Sequence, residues 1–200
     1  MPVFKLIKKN FPEALLSLDT FRSEVADFVV ANFGPCIIND ISGGTLDSQM
    51  FETVARLSVP YVLMHIQGTP QTMQNNPVYS DVVNDIILFL SERVQKLKLL
   101  GVNDVIIDPG FGFGKLFVHN FELVNRLDSF RIFQLPLMVG VSRKAMIWRL
   151  LNITPEESLN GTTVLNTLAL LGGANILRVH DVKEAVQVCK IVSKLKPKTE

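Results

Sequence analysis

The sequence is poor in cysteine, with only Cys36 and Cys189 among 200 residues. Each stands in an apolar stretch, which predicts reduced, buried thiols in a cytoplasmic protein and not a disulfide framework. Long hydrophobic runs are missing too. No stretch reaches the roughly 18 consecutive apolar residues that span a membrane. The opening MPVFKLIKKN has no apolar run followed by a small-residue cleavage site, so no secretory leader is read there. Net charge is almost absent, at +1. That excludes the basic footprint of a nucleic-acid binder and the polybasic patch of a membrane-surface protein. The 10 prolines and 12 glycines are scattered and leave no linker. A single domain over residues 1–200 is expected, and its 48% hydrophobic content suffices for one sizeable core.

What the chain has instead is alternation. Short apolar runs without polar alternation occur at Leu15–Leu18, Cys36–Ile38, Tyr61–Met64, Val105–Ile107, Leu137–Val139 and Asn175–Val179. Such runs read as strands of a parallel sheet, buried on both faces. Helical patterns separate them at Ser23–Asn32, Ser48–Leu57, Asp81–Leu100, Asn120–Leu127, Arg143–Leu151, Gly161–Leu171 and Asp181–Leu195. Asp81 and Asp181 are expected as N-caps, and Gly34 and Gly101 as stops. Strands alternating with helices define an α/β fold built of βα units.

Each expected strand ends in polar groups. They are Asp19, then Asn39 and Asp40, then His65, Asp108, the run Ser142–Arg143–Lys144, and finally Arg178 with His180. Carboxyl ends of strands are where α/β folds place their chemistry. A single polar residue there is commonly a cap or a turn former. Six strand ends in succession are harder to explain that way. The spacing from Asp19 to Arg178 is about 32 residues per unit. A (β/α)8 barrel takes about 250 residues, so this chain has room for six units.

The sharpest motif is DPGFGFGK, Asp108–Lys115. Its alternating glycines permit an unusual loop path over a site. It is not a phosphate loop, because only three residues separate Gly110 from Gly114 and Leu116 stands where a magnesium-binding Ser or Thr belongs. A dinucleotide fingerprint fails on spacing as well. In GVSRK, Ser142 is placed to cap the next helix, with Arg143 and Lys144 in its first turn. Cations there oppose the helix dipole, so at least one of them is expected to have another task. In RVHD, period-two alternation puts Arg178 and His180 on one face, while Asp181 caps the last helix. His119 is expected as a capping or surface residue, and His65 as either structural or lining the site.

These motifs, together with LSLDT, INDISGG and LMHIQGTPQTMQ, resemble those of the dihydropteroate synthases, a family of pterin-binding TIM barrels. The resemblance runs over essentially the whole chain. It implies the joining of 6-hydroxymethyl-7,8-dihydropterin pyrophosphate to p-aminobenzoate, with release of pyrophosphate. It implies a pterin site of Asp19, Asn39, Met64, Asp108, Lys144 and Arg178, and a p-aminobenzoate site that includes Phe113 and Ser142. Arg178 and His180 would bind pyrophosphate. Lys144, Arg178 and His180 would be the catalytic groups, with Mg²⁺ as cofactor and no metal ligand among the quoted residues. A cytoplasmic homodimer is implied for the parent protein, with small-molecule substrates and neither nucleic acid nor membrane as partner.

The departure from the family is at the start. An Asn-Val-Thr-Pro-Asp-Ser-Phe-like segment and a Gly-Gly-Glu-Ser-Thr-Arg-Pro-Gly-like segment are both absent. The resemblance assigns to those loops the magnesium contact and much of the p-aminobenzoate pocket. The expectation is therefore a barrel lacking its first two βα units, with six parallel strands. Residues 3–10 read as the tail of a preceding helix, and Met1 as an internal methionine or a cut point. Two alternatives stay open: a pterin-dependent corrinoid methyltransferase, and a fragment that binds pterin without catalysis or is inert.

Overall fold

The computed structural model describes residues 2–195, so the reading of Met1 lies outside the described residues. Six strands alternate with helices in chain order. β1 (Ser17–Asp19), β2 (Ile37–Asp40), β3 (Tyr61–Met64) and β4 (Val105–Asp108) follow one another in one sheet, and β5 (Met138–Val139) and β6 (Ile176–Leu177) form a second ladder. The pairs β1–β2, β2–β3 and β5–β6 are parallel, and a parallel bridge joins Ile107 to Leu137. Six strands in sequence order is the arrangement the alternating pattern implies. Residues 3–10 fall in the helix α1 (Pro2–Asn10).

The chain divides into two compact units: Met1–His65 with Phe89–Ile106, and Ile66–Leu88 with Ile107–Glu200. In the first unit, α2 (Ser23–Phe33) and α3 (Met50–Leu57) follow β1 and β2. Its core includes Ala26, Val29, Ile38, Met50, Val54, Tyr61 and Leu63. β3 is buried at every position, as a strand covered on both faces must be. β1 is not: Ser17 and Asp19 are exposed and Leu18 only half-buried. The expectation of a buried first strand fails because β2 is its only neighbour in the sheet.

Asp40 shows how the first unit fixes a strand end. Its buried carboxylate accepts from Ser42 N–H and Oγ–H, from Gly44 N–H and from the Tyr61 hydroxyl, at 2.7–2.9 Å. Four donors satisfy a carboxylate completely. The adjoining Gly43 has φ +57, and a Cβ there would lie 2.6 Å from the Met64 carbonyl oxygen. Only glycine fits so close an approach.

The long helix α4 (Val82–Leu99) is capped as its sequence demands. The Asp81 carboxylate accepts from Val83 and Asn84 N–H at 3.0 Å. Gly101, at φ +81, turns the chain out beyond its last residues. Val83, Ile86, Leu90, Val94 and Leu97 form its buried stripe at helical spacing.

In the second unit, α5 (Phe117–Asn125), α6 (Ala145–Leu151), α7 (Leu159–Gly172) and α8 (Val182–Leu195) surround Ile107, Phe111, Leu123, Phe130, Val139 and Ile147. α5 starts three residues earlier than the sequence pattern implies. α8 buries Ala185, Val188 and Val192. Cys189 lies off that stripe and is exposed, against expectation, while Cys36 is buried as expected. Both thiols are free. Burial pushes the Cys36 thiol up, with the Lys8 ammonium pulling the other way. No helix among the described residues is long and apolar enough to cross a membrane.

Candidate functional site

The first unit carries one polar pair at its strand ends. Asn39, 4% exposed at the carboxyl end of β2, donates from Nδ2 to Asp19 Oδ1 at 2.7 Å. Parallel register sets Asp19 directly opposite Asn39, so the two side chains share a face. The carboxylate can only accept, and this fixes the amide orientation. It leaves Asn39 Oδ1 buried and unpartnered. Leaving a buried acceptor unpaired costs about 1–3 kcal/mol unless a ligand supplies the donor. Met64 ends β3 fully inside the unit. His65 follows it, 5% exposed, with its ring edge on Phe89 at 4.8 Å between centroids.

The second unit carries the charged cluster. Asp108 ends β4, and its Oδ1 accepts from Gly110 N–H at 2.7 Å. Burial raises the Asp108 carboxyl above its ordinary range, against the pull of that N–H and of Lys144, Lys115 and Arg178. Lys144 is lowered to about 8, first by burial, with Asp108 opposing and Arg178 adding to the shift. Its ammonium donates to the Phe111 carbonyl and lies 4.8 Å from the centre of the Phe113 ring. The stem of Lys144 runs past Gly112, where a Cβ would come within 3.3 Å of it.

Lys115, which the sequence placed in a motif without a role, is the brace of this loop. It is 3% exposed, and its ammonium donates to the carbonyls of Gly110 and Phe113 at 2.8 and 2.9 Å. Burial drives its pKa well down, and Asp108 opposes that shift. Asn120 completes the bracing: Oδ1 accepts from Gly112 N–H at 2.7 Å and Nδ2 donates to the Leu116 carbonyl. Gln74 donates to the Gly112 carbonyl at 2.9 Å. Neither had a sequence signal of its own beyond lying in or beside a motif. His119 Nδ1 accepts from Leu116 N–H, the helix-start role expected of it. A cavity of about 280 Å³ opens here, lined by Gln74, Phe113, Lys115, Phe117, Lys144 and Arg149 among others.

Three local readings of the sequence are corrected. Ser142 does not cap α6, whose N-cap is Lys144 without a side-chain bond. Its hydroxyl meets His180, at 3.2 Å from the backbone N and 3.0 Å from Nδ1. Arg143 precedes α6 and sits at φ +53, with its guanidinium forked onto Asp181 at 2.7 and 2.9 Å. It also donates to the carbonyls of Pro155 and Glu156. Asp181, expected as a helix cap, gives its carboxylate to this fork, which holds it below the usual carboxylate range. A bidentate charged pair outcompetes a single cap bond. Arg178 and His180 lie just beyond β6, both exposed; the backbone N–H of Arg178 still donates to the Val139 carbonyl at 2.9 Å.

The second unit thus gathers Asp108, Lys144 and Arg178 in one electrostatic group and joins Ser142 to His180. The first unit joins Asp19 to Asn39. Among the described residues, no three of His, Cys, Asp and Glu come together as a metal site.

Comparison with known proteins identifies the family and the fold. The family described as "Pterin binding enzyme" matches residues 1–180. A dihydropteroate synthase of Escherichia coli (strain K12) is 41% identical over 194 residues, covering 96% of this chain and 68% of the relative. One from Synechocystis is 36% identical, over 98% of this chain and 68% of the relative. Among solved structures, a dihydropteroate synthase of Stenotrophomonas maltophilia, with active site-bound imidazole, superposes with a TM-score of 0.93 at 35% identity. It matches 100% of this chain, which covers 75% of it. The Yersinia pestis enzyme with a pterine-sulfa conjugate gives 0.87 at 36%, over 97% of this chain and 73% of its own. The α/β fold is that of these TIM-barrel enzymes, and the chain belongs to the dihydropteroate synthases of the pterin-binding enzyme family.

Proposed function

We propose that this chain acts in dihydropteroate synthesis, joining 6-hydroxymethyl-7,8-dihydropterin pyrophosphate to p-aminobenzoate. The observation that carries the reading is the buried Asp108 carboxylate held among Lys144, Lys115 and Arg178. One of its oxygens is engaged by the Gly110 N–H. A carboxylate has acceptor capacity beyond that bond, enough for the amino group and ring N–H of a pterin. The Lys144 ammonium donates to the ring carbonyl. In the first unit, Asp19 orients Asn39 and leaves its Oδ1 as an open acceptor; Asn39, Asp19 and Met64 are the further pterin residues that the resemblance implies.

Arg178 and His180 hold the pyrophosphate, whose charge grows as the bond to the pterin methylene carbon breaks. Stabilising that charge is the main catalytic contribution. The amine of p-aminobenzoate, placed by Phe113 and Ser142, attacks the carbon, and no covalent enzyme intermediate is required. Magnesium is the cofactor that the resemblance implies. Magnesium is commonly held by one or two carboxylates together with substrate phosphates, and among the described residues no three of His, Cys, Asp and Glu come together to hold it alone. A single domain, a cytoplasmic location and a homodimer of the whole protein belong to the same reading.

The test is calorimetric titration with a pterin, beside a pyrophosphate-release assay with both substrates, on the native chain and on Asp108→Asn. The proposal expects pterin binding weakened about 10- to 100-fold by the substitution. Absence of pterin binding by the well-folded native chain would overturn it and favour an inert chain.

A further inference from the structure

Ser142 and His180 are 38 residues apart in sequence, yet they make two contacts with each other. Ser142 Oγ lies 3.2 Å from the His180 backbone N and 3.0 Å from the ring Nδ1. A hydroxyl has one hydrogen to give and two lone pairs to receive with. The backbone N–H can only donate, so it takes a lone pair of Oγ. Ser142 is 4% exposed, so its own hydrogen needs a protein acceptor. Nδ1 is the acceptor within reach, provided that it carries no proton.

We infer that Ser142 fixes the neutral His180 ring as the Nε2–H tautomer. The free edge of the ring then presents a donor. In the opposite tautomer Nε2 would offer a lone pair, which repels the oxygens of an anion. Ser142 is thus a positioning residue for anion binding, acting through His180. The flanking residues hold the arrangement: Arg143 N–H donates to Thr162 Oγ1 at 3.0 Å, and the Arg143 guanidinium is forked onto Asp181. Both ends of the Ser142–His180 pair are therefore tied in place by their neighbours in sequence. The identity of the anion rests on the proposed function; the tautomer does not.

The experiment uses the full chain labelled with ¹⁵N-histidine, and long-range ¹H–¹⁵N correlation at a pH where the rings are neutral. The chain has three histidines, and His180→Gln assigns the signal of interest. The native chain should show His180 protonated at Nε2, with Nδ1 as a hydrogen-bonded bare nitrogen. Ser142→Ala should give a mixture of tautomers, and Ser142→Thr, which keeps the hydroxyl, should restore the native pattern. Titration with inorganic pyrophosphate should then be about tenfold weaker for Ser142→Ala than for Ser142→Thr.

A native ring protonated at Nδ1 would overturn the inference. So would an unchanged tautomer ratio in a folded Ser142→Ala chain. If Ser142→Ala does not fold, the native spectrum decides alone. The expected tautomer without pyrophosphate binding would support the Ser142 assignment and count against the pyrophosphate role of His180.

Discussion

The Asn39 amide donates to Asp19 at 2.7 Å, and in doing so strands its own carbonyl oxygen without a partner inside the first unit. An acceptor kept in that state is poised for a ligand donor, and it costs stability while empty.

Asn39→Ala should therefore separate binding from stability. Pterin affinity should fall roughly 5- to 100-fold, as loss of one buried hydrogen bond implies. The thermal midpoint should move little, because the unpaired acceptor leaves with the side chain. Calorimetric titration and a melting curve on the same preparation check this. A large loss of stability with unchanged affinity would make Asn39 a structural residue only.

Lys144 should set an alkaline limit on pterin binding. Its folded value of about 8 lies below the ordinary 10.5, so the folded chain releases this proton before the unfolded chain does. The cost of burying the ammonium is full below pH 8 and is relieved between about pH 8 and 10.5. Stability should rise with pH across that window, while pterin affinity, which needs the charged donor, should decline. Lys144→Arg keeps its charge well past pH 10, so its affinity should stay flat over the same range. Titrations from pH 6.5 to pH 10 distinguish the two.

Lys115→Met should collapse the loop after β4. The carbonyls of Gly110 and Phe113 would lose their buried donor, and Asp108 a compensating charge. A loss of about 3 kcal/mol is expected from urea unfolding, together with weaker pterin binding. A methionine variant as stable as the parent would show that the ammonium does not brace the loop.

Gly114→Ala should be costly for a different reason. Gly114 has φ +60, and a Cβ there would lie 2.5 Å from the Gln67 carbonyl oxygen. Left-handed backbone strain and a collision with main chain add up to more than about 2 kcal/mol. The same substitution at Gly101 also has a positive φ but meets nothing within 4 Å, and should lose only about 1 kcal/mol. Parallel urea titrations of the two variants read the difference.

How far the sequence reveals this protein depends on the range of the interaction. Tyr61–Met64 is legible as a buried strand because its own four residues are apolar and it opens on the β-prone Tyr61 and Val62, and the strand has those bounds. Asp81 is legible as a cap because it bonds two and three residues ahead. Ser142, Arg143 and Asp181 misled for the opposite reason. Each has a plausible local role at a helix start, and each is claimed by a partner 38 residues away. Lys115 could be placed in a motif but not given a task, since its acceptors are carbonyls of the loop it belongs to. The exposure of Cys189 turned on its angle around α8, one step off a stripe that composition alone does not locate.

The fork between Arg143 and Asp181 has a kinetic consequence. Lys144 follows Arg143, and His180 precedes Asp181, so one doubly bonded pair staples together the two segments that carry the Lys144 ammonium and the His180 imidazole. Neither segment can swing outward without breaking both bonds of the fork. Local opening there is a single event, and amide hydrogens at Arg143 and His180, both held by hydroxyl acceptors, should exchange with solvent deuterium at a common protection level.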